Sequence, residues 1–298
     1  MMDHAVSTFL SGCAPFHDLC FFAKALDELM ETGVTNSTFF CLDAGELTKS
    51  RTSVGWTAVA AATIKPQGQM RALLYIGGRG DFWEVNTQTV EETTGRIEGV
   101  RFSLTSLAAI DDVIFACGMG REVFRREDTG RWTSMSPKEP LPDTGIVGFE
   151  ALAGFSLDEI YAVGWEGELW LLRGNQWRRL ESPVSTHLSA VCCAADGKVY
   201  VTGDDGVLLR GRLDTWEVLE TGRRENLRDV QAFDGTVCVA TDFRILKLDG
   251  HRLVPETAFV DDDRPSTCVR LLRAEDGLFS MGLKDLFLFR GGSWKRLV

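Results

Sequence analysis

The chain has 298 residues, of which 44% are hydrophobic and 25% are charged, as in an ordinary globular protein. Its 43 acidic residues against 32 Lys and Arg give a formal net charge of −11. This charge disfavours nucleic acids and anionic membranes as partners, because both attract a basic surface. It favours a basic protein partner, which an acidic surface attracts over long range. No stretch approaches the roughly 18 apolar residues of a membrane-spanning helix.

The N-terminal segment, residues 1–36, permits two structural interpretations. Apolar residues at helical spacing between Phe16 and Leu29 suit a short amphipathic helix that caps the fold, but the segment also suits the first strands of a degenerate repeat. Residues 10–13 (LSGC) resemble a lipoprotein processing site. The preceding residues contain Asp3, have no Lys or Arg, and are too short in apolar length for an export signal. We therefore predict a cytoplasmic protein with eight reduced cysteines.

An internal repeat begins near residue 75. Its first element is an aromatic residue followed by two residues and a glycine. Copies occur at Tyr75–Gly78, Phe115–Gly118, Tyr161–Gly164, Tyr200–Gly203 and Phe279–Gly282, with a degenerate copy at Cys238–Thr241. The last residues of successive copies lie 40, 46, 39, 38 and 41 residues apart, which is the period of a β-propeller blade.

Two further columns of residues follow each copy. An apolar pair comes four or five residues later, and a large apolar residue comes 12 to 14 residues later. The second column holds Val90, Trp132, Trp177, Trp216, Leu253 and Trp294. Each copy therefore predicts four short antiparallel strands, with aromatic side chains between neighbouring sheets and glycines in tight turns. Near the N-terminus, Phe40–Asp43 and Trp56 occupy the same two columns and predict a seventh copy.

These patterns resemble the WD40/YVTN/BNR-like group of β-propellers, although the Gly-His and Trp-Asp dipeptides of true WD40 repeats are absent. The resemblance covers nearly the whole chain. It implies a single all-β domain over residues 1–298, a propeller with seven blades of four-stranded antiparallel sheets. Six blades and a helical cap over residues 1–36 are the alternative. Because propellers host both binding proteins and enzymes, the fold alone implies no function.

One face of the predicted ring is a candidate binding surface. The turns between second and third strands open on that face, and the linker at residues 260–266 joins two blades there. They predict an acidic, partly aromatic rim for a protein partner. Its residues are Trp165, Glu166, Asp204, Asp205, Asp242, Phe243, Asp261, Asp262 and Asp263. Trp165 alone among the tryptophans in the repeats falls outside the columns, as either a packing residue or a partner anchor, and Asp is also common in ordinary turns.

Catalytic interpretations find little support in the sequence. A sialidase-like propeller needs a tyrosine nucleophile, but all three tyrosines belong to the repeat. A lactonase-like propeller needs a central metal held by Glu, Asn and Asp, and no Asn lies in the second-to-third turns. The four histidines are far apart in the sequence, without the spacing typical of zinc ligands. We therefore predict no catalytic residues, no metal and no cofactor.

The sequence thus favours a non-enzymatic, protein-binding propeller. Its most specific form is a cytoplasmic bacterial immunity protein that neutralises a basic toxin by covering it. A hydrolase or lactonase-like enzyme with its site in the central channel, and a scaffold subunit of a larger assembly, remain as alternatives.

Overall fold

The computed structural model describes residues 7–65, 68–143 and 145–298. Residues 1–6, among them Asp3 and His4, lie outside this part of the chain. The described residues form seven four-stranded antiparallel sheets, each built from four consecutive strands. The predicted all-β propeller with seven blades is confirmed.

The single α-helix that the described residues form lies in blade 1. Blade 1 comprises β1 (Ser7–Phe16), β2 (Leu19–Leu26), α1 (Asp27–Glu31), β3 (Ser37–Asp43) and β4 (Glu46–Val54). Blade 2 comprises β5 (Ala58–Ile64), β6 (Ala72–Gly77), β7 (Asp81–Asn86) and β8 (Glu92–Arg96). Blade 3 comprises β9 (Leu104–Ile110), β10 (Val113–Gly118), β11 (Glu122–Asp128) and β12 (Arg131–Ser134).

The remaining four blades follow the same order of four strands. Blade 4 comprises β13 (Phe149–Ser156), β14 (Glu159–Gly164), β15 (Leu169–Arg173) and β16 (Gln176–Arg179). Blade 5 comprises β17 (Leu188–Cys193), β18 (Val199–Gly203), β19 (Leu208–Arg212) and β20 (Thr215–Val218). Blade 6 comprises β21 (Asp229–Phe233), β22 (Thr236–Ala240), β23 (Ile245–Asp249) and β24 (Arg252–Pro255). Blade 7 comprises β25 (Arg270–Arg273), β26 (Leu278–Met281), β27 (Leu286–Arg290) and β28 (Ser293–Arg296).

Blade 1 departs from its predicted arrangement. Residues 16–26 are mostly strand, and only the five residues of α1 are helical, so this segment belongs to a blade and not to a helical cap. Phe22 of β2 packs toward blade 7, whereas Ala23 packs toward blade 2. Both faces of β2 are therefore apolar. Such a run cannot be distinguished from a buried helix by periodicity alone.

The predicted register of blade 1 is also wrong. Its column placed Phe40 in the second strand, but Phe40 lies in the third strand, β3. Residues 43–46 therefore join the third strand to the fourth, and they open on the face opposite to the candidate binding surface. Trp56 lies in the linker before β5, where its ring packs against Phe39. Val90, assigned to the same column in blade 2, is 74% exposed in the turn between β7 and β8.

Seven apolar clusters hold the ring together, one between each pair of neighbouring blades. Tyr161 of blade 4, for example, packs in the same cluster as Val191 and Val199 of blade 5. Between blades 7 and 1 the ring closes through Phe279 and Phe22, which share a cluster with the last residue, Val298. Closure therefore depends on side-chain packing between two complete sheets.

The glycines of the repeat allow close approach of the backbone, not the tight turns predicted from the sequence. Gly164 and Gly203 end the second strands of their blades, where the linker that enters the same blade crosses over them. A Cβ atom on Gly164 would lie 1.9 Å from the carbonyl oxygen of Gly148. The turn itself uses the next glycine along, Gly167, whose φ is 69°.

A buried ion pair joins blades 3 and 4. Arg121 donates two hydrogen bonds, of 2.7 and 2.8 Å, to the carboxylate of Glu168. The indole of Trp170 donates to the same carboxylate at 2.8 Å. Both charged side chains are at most 4% exposed. The pair therefore joins the turn between β10 and β11 in blade 3 to the start of β15 in blade 4.

We expect Arg121→Met to destabilise the protein by about 3 kcal/mol, because Glu168 would remain buried with only the half-exposed Arg179, at 3.6 Å, as a counter-ion. Urea unfolding measures this loss. The matched control is Arg131→Met, whose ion pair with Asp128 joins side chains that are 74% and 65% exposed. That variant should change stability by less than about 1 kcal/mol. Similar losses in the two variants would contradict a structural role for the buried pair.

Candidate functional site

The two faces of the ring differ in their connections. One face, which we call the linker face, carries the connections between second and third strands and the linkers between blades. The opposite face, the hairpin face, carries the turns between first and second and between third and fourth strands. The nine predicted rim residues, 165–166, 204–205, 242–243 and 261–263, all lie on the linker face. Whether they bind a partner stays a prediction.

Trp165 lies at the mouth of the central channel. It begins a short 3₁₀ turn, Trp165–Gly167, between β14 and β15 and is half-buried. Its indole donates a 2.6 Å hydrogen bond to Oε1 of Glu150, and its ring lies 4.6 Å from the imidazole ring of His187. Trp165 belongs to none of the apolar clusters between blades. The side chain therefore packs locally while part of its surface faces solvent, and its role as a partner anchor stays a prediction.

His187 joins two acidic residues at the same mouth. Its Nε2 atom lies 3.6 Å from Glu150 Oε1, and its Nδ1 atom lies 3.5 Å from Asp204 Oδ2. The carboxylate of Glu150 raises the pKa of His187 above 6.5, and Asp204 raises it further, while partial burial opposes both. Of these three residues only Asp204 was predicted. Glu150 lies in the first strand of blade 4, and His187 lies in the linker between blades 4 and 5. Neither segment contains a column of the repeat.

The channel behind this mouth is a cavity of about 750 Å³ lined by the first strands of the blades. Arg270 extends across it and donates a 3.3 Å hydrogen bond to the carbonyl of Val59. Burial lowers the pKa of Arg270. Burial also raises the pKa of Asp229 to about 6, although its carboxylate accepts hydrogen bonds from the backbone N–H groups of Leu271 and Val230.

Several predicted rim acids are neutralised within the chain. Ion pairs of 2.8, 2.6 and 2.8 Å join Asp242 to Arg228, Asp262 to Arg264 and Asp263 to Arg296. Glu166 accepts a 3.1 Å hydrogen bond from the backbone N–H of Ile146. Asp205 and Asp261 are exposed and form no ion pair with a described residue. The rim is therefore less acidic than its sequence predicted, because an arginine lies beside each of these three aspartates.

The linker face also exposes apolar side chains that the sequence analysis missed. Among the described residues, twelve large apolar side chains are exposed, and nine of them lie on this face. They are Leu26, Met30, Val34, Phe102, Leu141, Ile146, Phe243, Val260 and Leu283. Only Phe243, at 69% exposure, was among the predicted residues. The others could have been found by asking which apolar residues fall in linkers and outside the repeat columns.

No metal-binding group is formed by the described residues, since no three or more His, Cys, Asp or Glu among them lie close enough together. No helix in the described ranges is long and apolar enough to cross a membrane. The channel thiols of Cys192 and Cys193 are protonated at neutral pH, because burial raises the pKa of Cys193 to about 12 and that of Cys192 further.

Comparison with known proteins identifies the family. No protein-family profile matches the chain. The chain is 34% identical to the immune protein Tsi7 of Pseudomonas aeruginosa, over 97% of this chain and 96% of that protein. The chain therefore belongs to the Tsi7 family of immune proteins.

Two solved structures resemble the chain in fold. YCF48 bound to D1 peptide superposes with a TM-score of 0.69 at 16% identity, covering 95% of this chain and 93% of that one. The extracellular domain of the hybrid two-component system BT3049 from B. thetaiotaomicron superposes with a TM-score of 0.67 at 13% identity. That match covers 96% of this chain and 39% of the other. At these identities the likeness concerns the propeller fold alone.

We expect His187 to titrate above pH 6.5 in an NMR titration of its ring protons. Since the folded pKa exceeds the unfolded one, the stability that this group contributes is complete below pH 6.5 and is lost as the pH rises through the folded pKa. Glu150→Gln should lower the pKa of His187. The control Glu166→Gln alters a neighbouring exposed carboxylate that does not contact the imidazole. An unchanged His187 titration in Glu150→Gln would contradict the assignment.

Proposed function

We propose that the chain is a cytoplasmic immunity protein that binds a basic protein toxin on its linker face and neutralises it by covering it, without catalysis. Membership of an immune-protein family supports the immunity role. The formal net charge of −11 and the exposed carboxylates of Asp205 and Asp261 favour a basic partner.

The observation that carries the binding mode is the concentration of exposed apolar side chains on one face. Exposed apolar groups cost free energy in water, and monomeric proteins rarely gather many of them in one region unless that region binds something. Nine of the twelve among the described residues lie on the linker face. The hairpin face carries only Val90 and Leu157 of this set.

The arrangement of these side chains suits a large partner. One group follows blades 6, 7 and 1, where Phe243, Leu283 and Met30 belong to successive second-to-third connections. A second group, Phe102 and Ile146, lies in the linkers around blade 3. The channel mouth and its acidic residues lie at the centre of the ring. Protein interfaces commonly contain both apolar contacts and polar or charged groups.

The direct test of this proposal uses the product of the gene beside the one that encodes this chain. We expect that product to be a toxin, co-expression of this chain to restore growth to cells that produce it, and isothermal titration to show a stable complex of the two purified proteins. An absence of both protection and binding would overturn the proposal.

We expect Phe243→Ser to weaken toxin binding by about 10-fold or more, because an exposed aromatic anchor would be lost from the interface. The matched control is Val90→Ser, since Val90 is 74% exposed but lies on the hairpin face. Titration calorimetry measures both affinities. A loss of affinity in Val90→Ser, with Phe243→Ser unaffected, would place the toxin on the hairpin face instead.

We expect Trp165→Ala to weaken toxin binding by about 2 kcal/mol with little loss of stability. The comparison variant is Trp177→Ala. The ring of Trp177 packs against Phe149 at 5.9 Å, and its indole donates a 2.7 Å hydrogen bond to the carbonyl of Met135. That variant should lose about 3 kcal/mol of stability in urea unfolding. The reverse pattern would identify Trp165 as a packing residue alone.

A further inference from the structure

We propose, on the basis of the proposed function, that the channel mouth is a socket for a single cationic side chain, an arginine or a lysine, of the bound toxin. We define the socket by Glu150, Trp165, His187 and Asp204. Glu150 and His187 line the 750 Å³ channel cavity, so the socket opens outward to the linker face and inward to free volume.

The two socket carboxylates keep unused acceptor capacity. Glu150 Oε1 accepts the indole N–H of Trp165 at 2.6 Å. No hydrogen bond from a described residue reaches Glu150 Oε2 or the carboxylate of Asp204. The side chains of Glu150 and Asp204 are only 25% and 34% exposed, so water does not fully solvate them. A partly desolvated carboxylate with free lone pairs binds a cationic donor strongly.

Two fully buried carboxylates on the linker face, by contrast, are already engaged. Glu122 accepts hydrogen bonds of 3.1 and 3.2 Å from the backbone N–H groups of Arg101 and Phe102. Asp285 accepts the N–H and the hydroxyl of Ser266 at 2.7 and 2.6 Å. These carboxylates hold linkers in place. Glu150 accepts only the indole N–H of Trp165, and both Glu150 and Asp204 lie beside His187 at distances longer than a good hydrogen bond.

The cations nearest to the socket are held elsewhere. Arg228 donates hydrogen bonds of 2.8 and 3.2 Å to both oxygens of Asp242. Arg270 donates to the carbonyl of Val59 on the opposite side of the channel. Neither arginine donates a hydrogen bond to Glu150 or Asp204. The free carboxylate oxygens at the mouth are therefore available to a cationic donor from outside the chain, although the charges of Arg270 and Arg228 act through space on Glu150 and Asp204 respectively.

The residues around the carboxylates select an arginine or a lysine from among basic ligands. The half-buried indole of Trp165 supplies an aromatic surface, and aromatic rings attract guanidinium and ammonium groups. The flexible chain of methylene groups in an arginine or a lysine can reach into the mouth, while the rest of the toxin contacts the exposed apolar side chains of the linker face. Charged residues that insert into such desolvated sites dominate many protein interfaces.

The test compares two double variants that remove the same charge. Glu150→Gln with Asp204→Asn removes both socket carboxylates, whereas Asp205→Asn with Asp261→Asn removes two exposed carboxylates elsewhere on the linker face. Urea unfolding first establishes that both are folded. We expect the socket variant to bind the toxin of the neighbouring gene about 30-fold or more weakly, and the control variant to lose only a few-fold through reduced long-range attraction. Equal losses would overturn the socket.

A second measurement does not depend on the toxin. N-acetylarginine amide is added to the ¹⁵N-labelled protein, and the indole N–H signal of Trp165 is followed by NMR. We expect a saturable shift that N-acetylglutamine amide does not produce and that the socket variant lacks. If the toxin fails to bind the wild-type protein, the proposed function fails. The socket is then judged by this titration alone, and the absence of an arginine-specific shift would overturn it.

Discussion

Each sheet of this ring is stable because its two neighbours cover its two faces. A single four-stranded sheet with apolar residues on both sides would leave both exposed, and the packing of one blade on the next removes this surface from water. The seven apolar clusters all lie between neighbouring blades. The ring must therefore close completely, and the contact of blade 7 with blade 1 is as essential as any other.

Closure also decides where polar groups lie. Because the strands of each blade are short, the connections on the linker face cross one another closely. The carbonyl of Gly148 passes over Gly164 at a distance that leaves no space for a Cβ atom. Buried carboxylates at the start of the third strands, Glu122 and Glu168, hold the linkers and turns beside them. The scaffold thus uses most of the charged groups on this face for its own stability, and few remain for a partner.

Two of the carboxylates that remain, Glu150 and Asp204, lie at the channel mouth, and the exposed apolar groups lie around it. A partner that covers this face would bury the apolar side chains and meet the carboxylates of Glu150 and Asp204 at the centre. This combination links the fold to the proposed neutralisation of a basic toxin. Under that proposal the protein acts by occupying another protein's surface.

The sequence alone determined the architecture, because the strand pattern repeats with a period of about 40 residues and places Tyr161, Trp170 and Trp294 in columns that only a packed face explains. It failed in blade 1, where β2 is apolar on both faces and the register of Phe40 was ambiguous.

Only the tertiary structure decided which groups meet at the channel mouth. Glu150, His187 and Asp204 lie in three separate connections or strands, and linkers of unequal length carry no periodic pattern that would predict their proximity. The ion pairs of the predicted acidic rim were also missed, although Arg264 lies only two residues from Asp262, because a repeat pattern does not show which arginine side chains turn toward the aspartates.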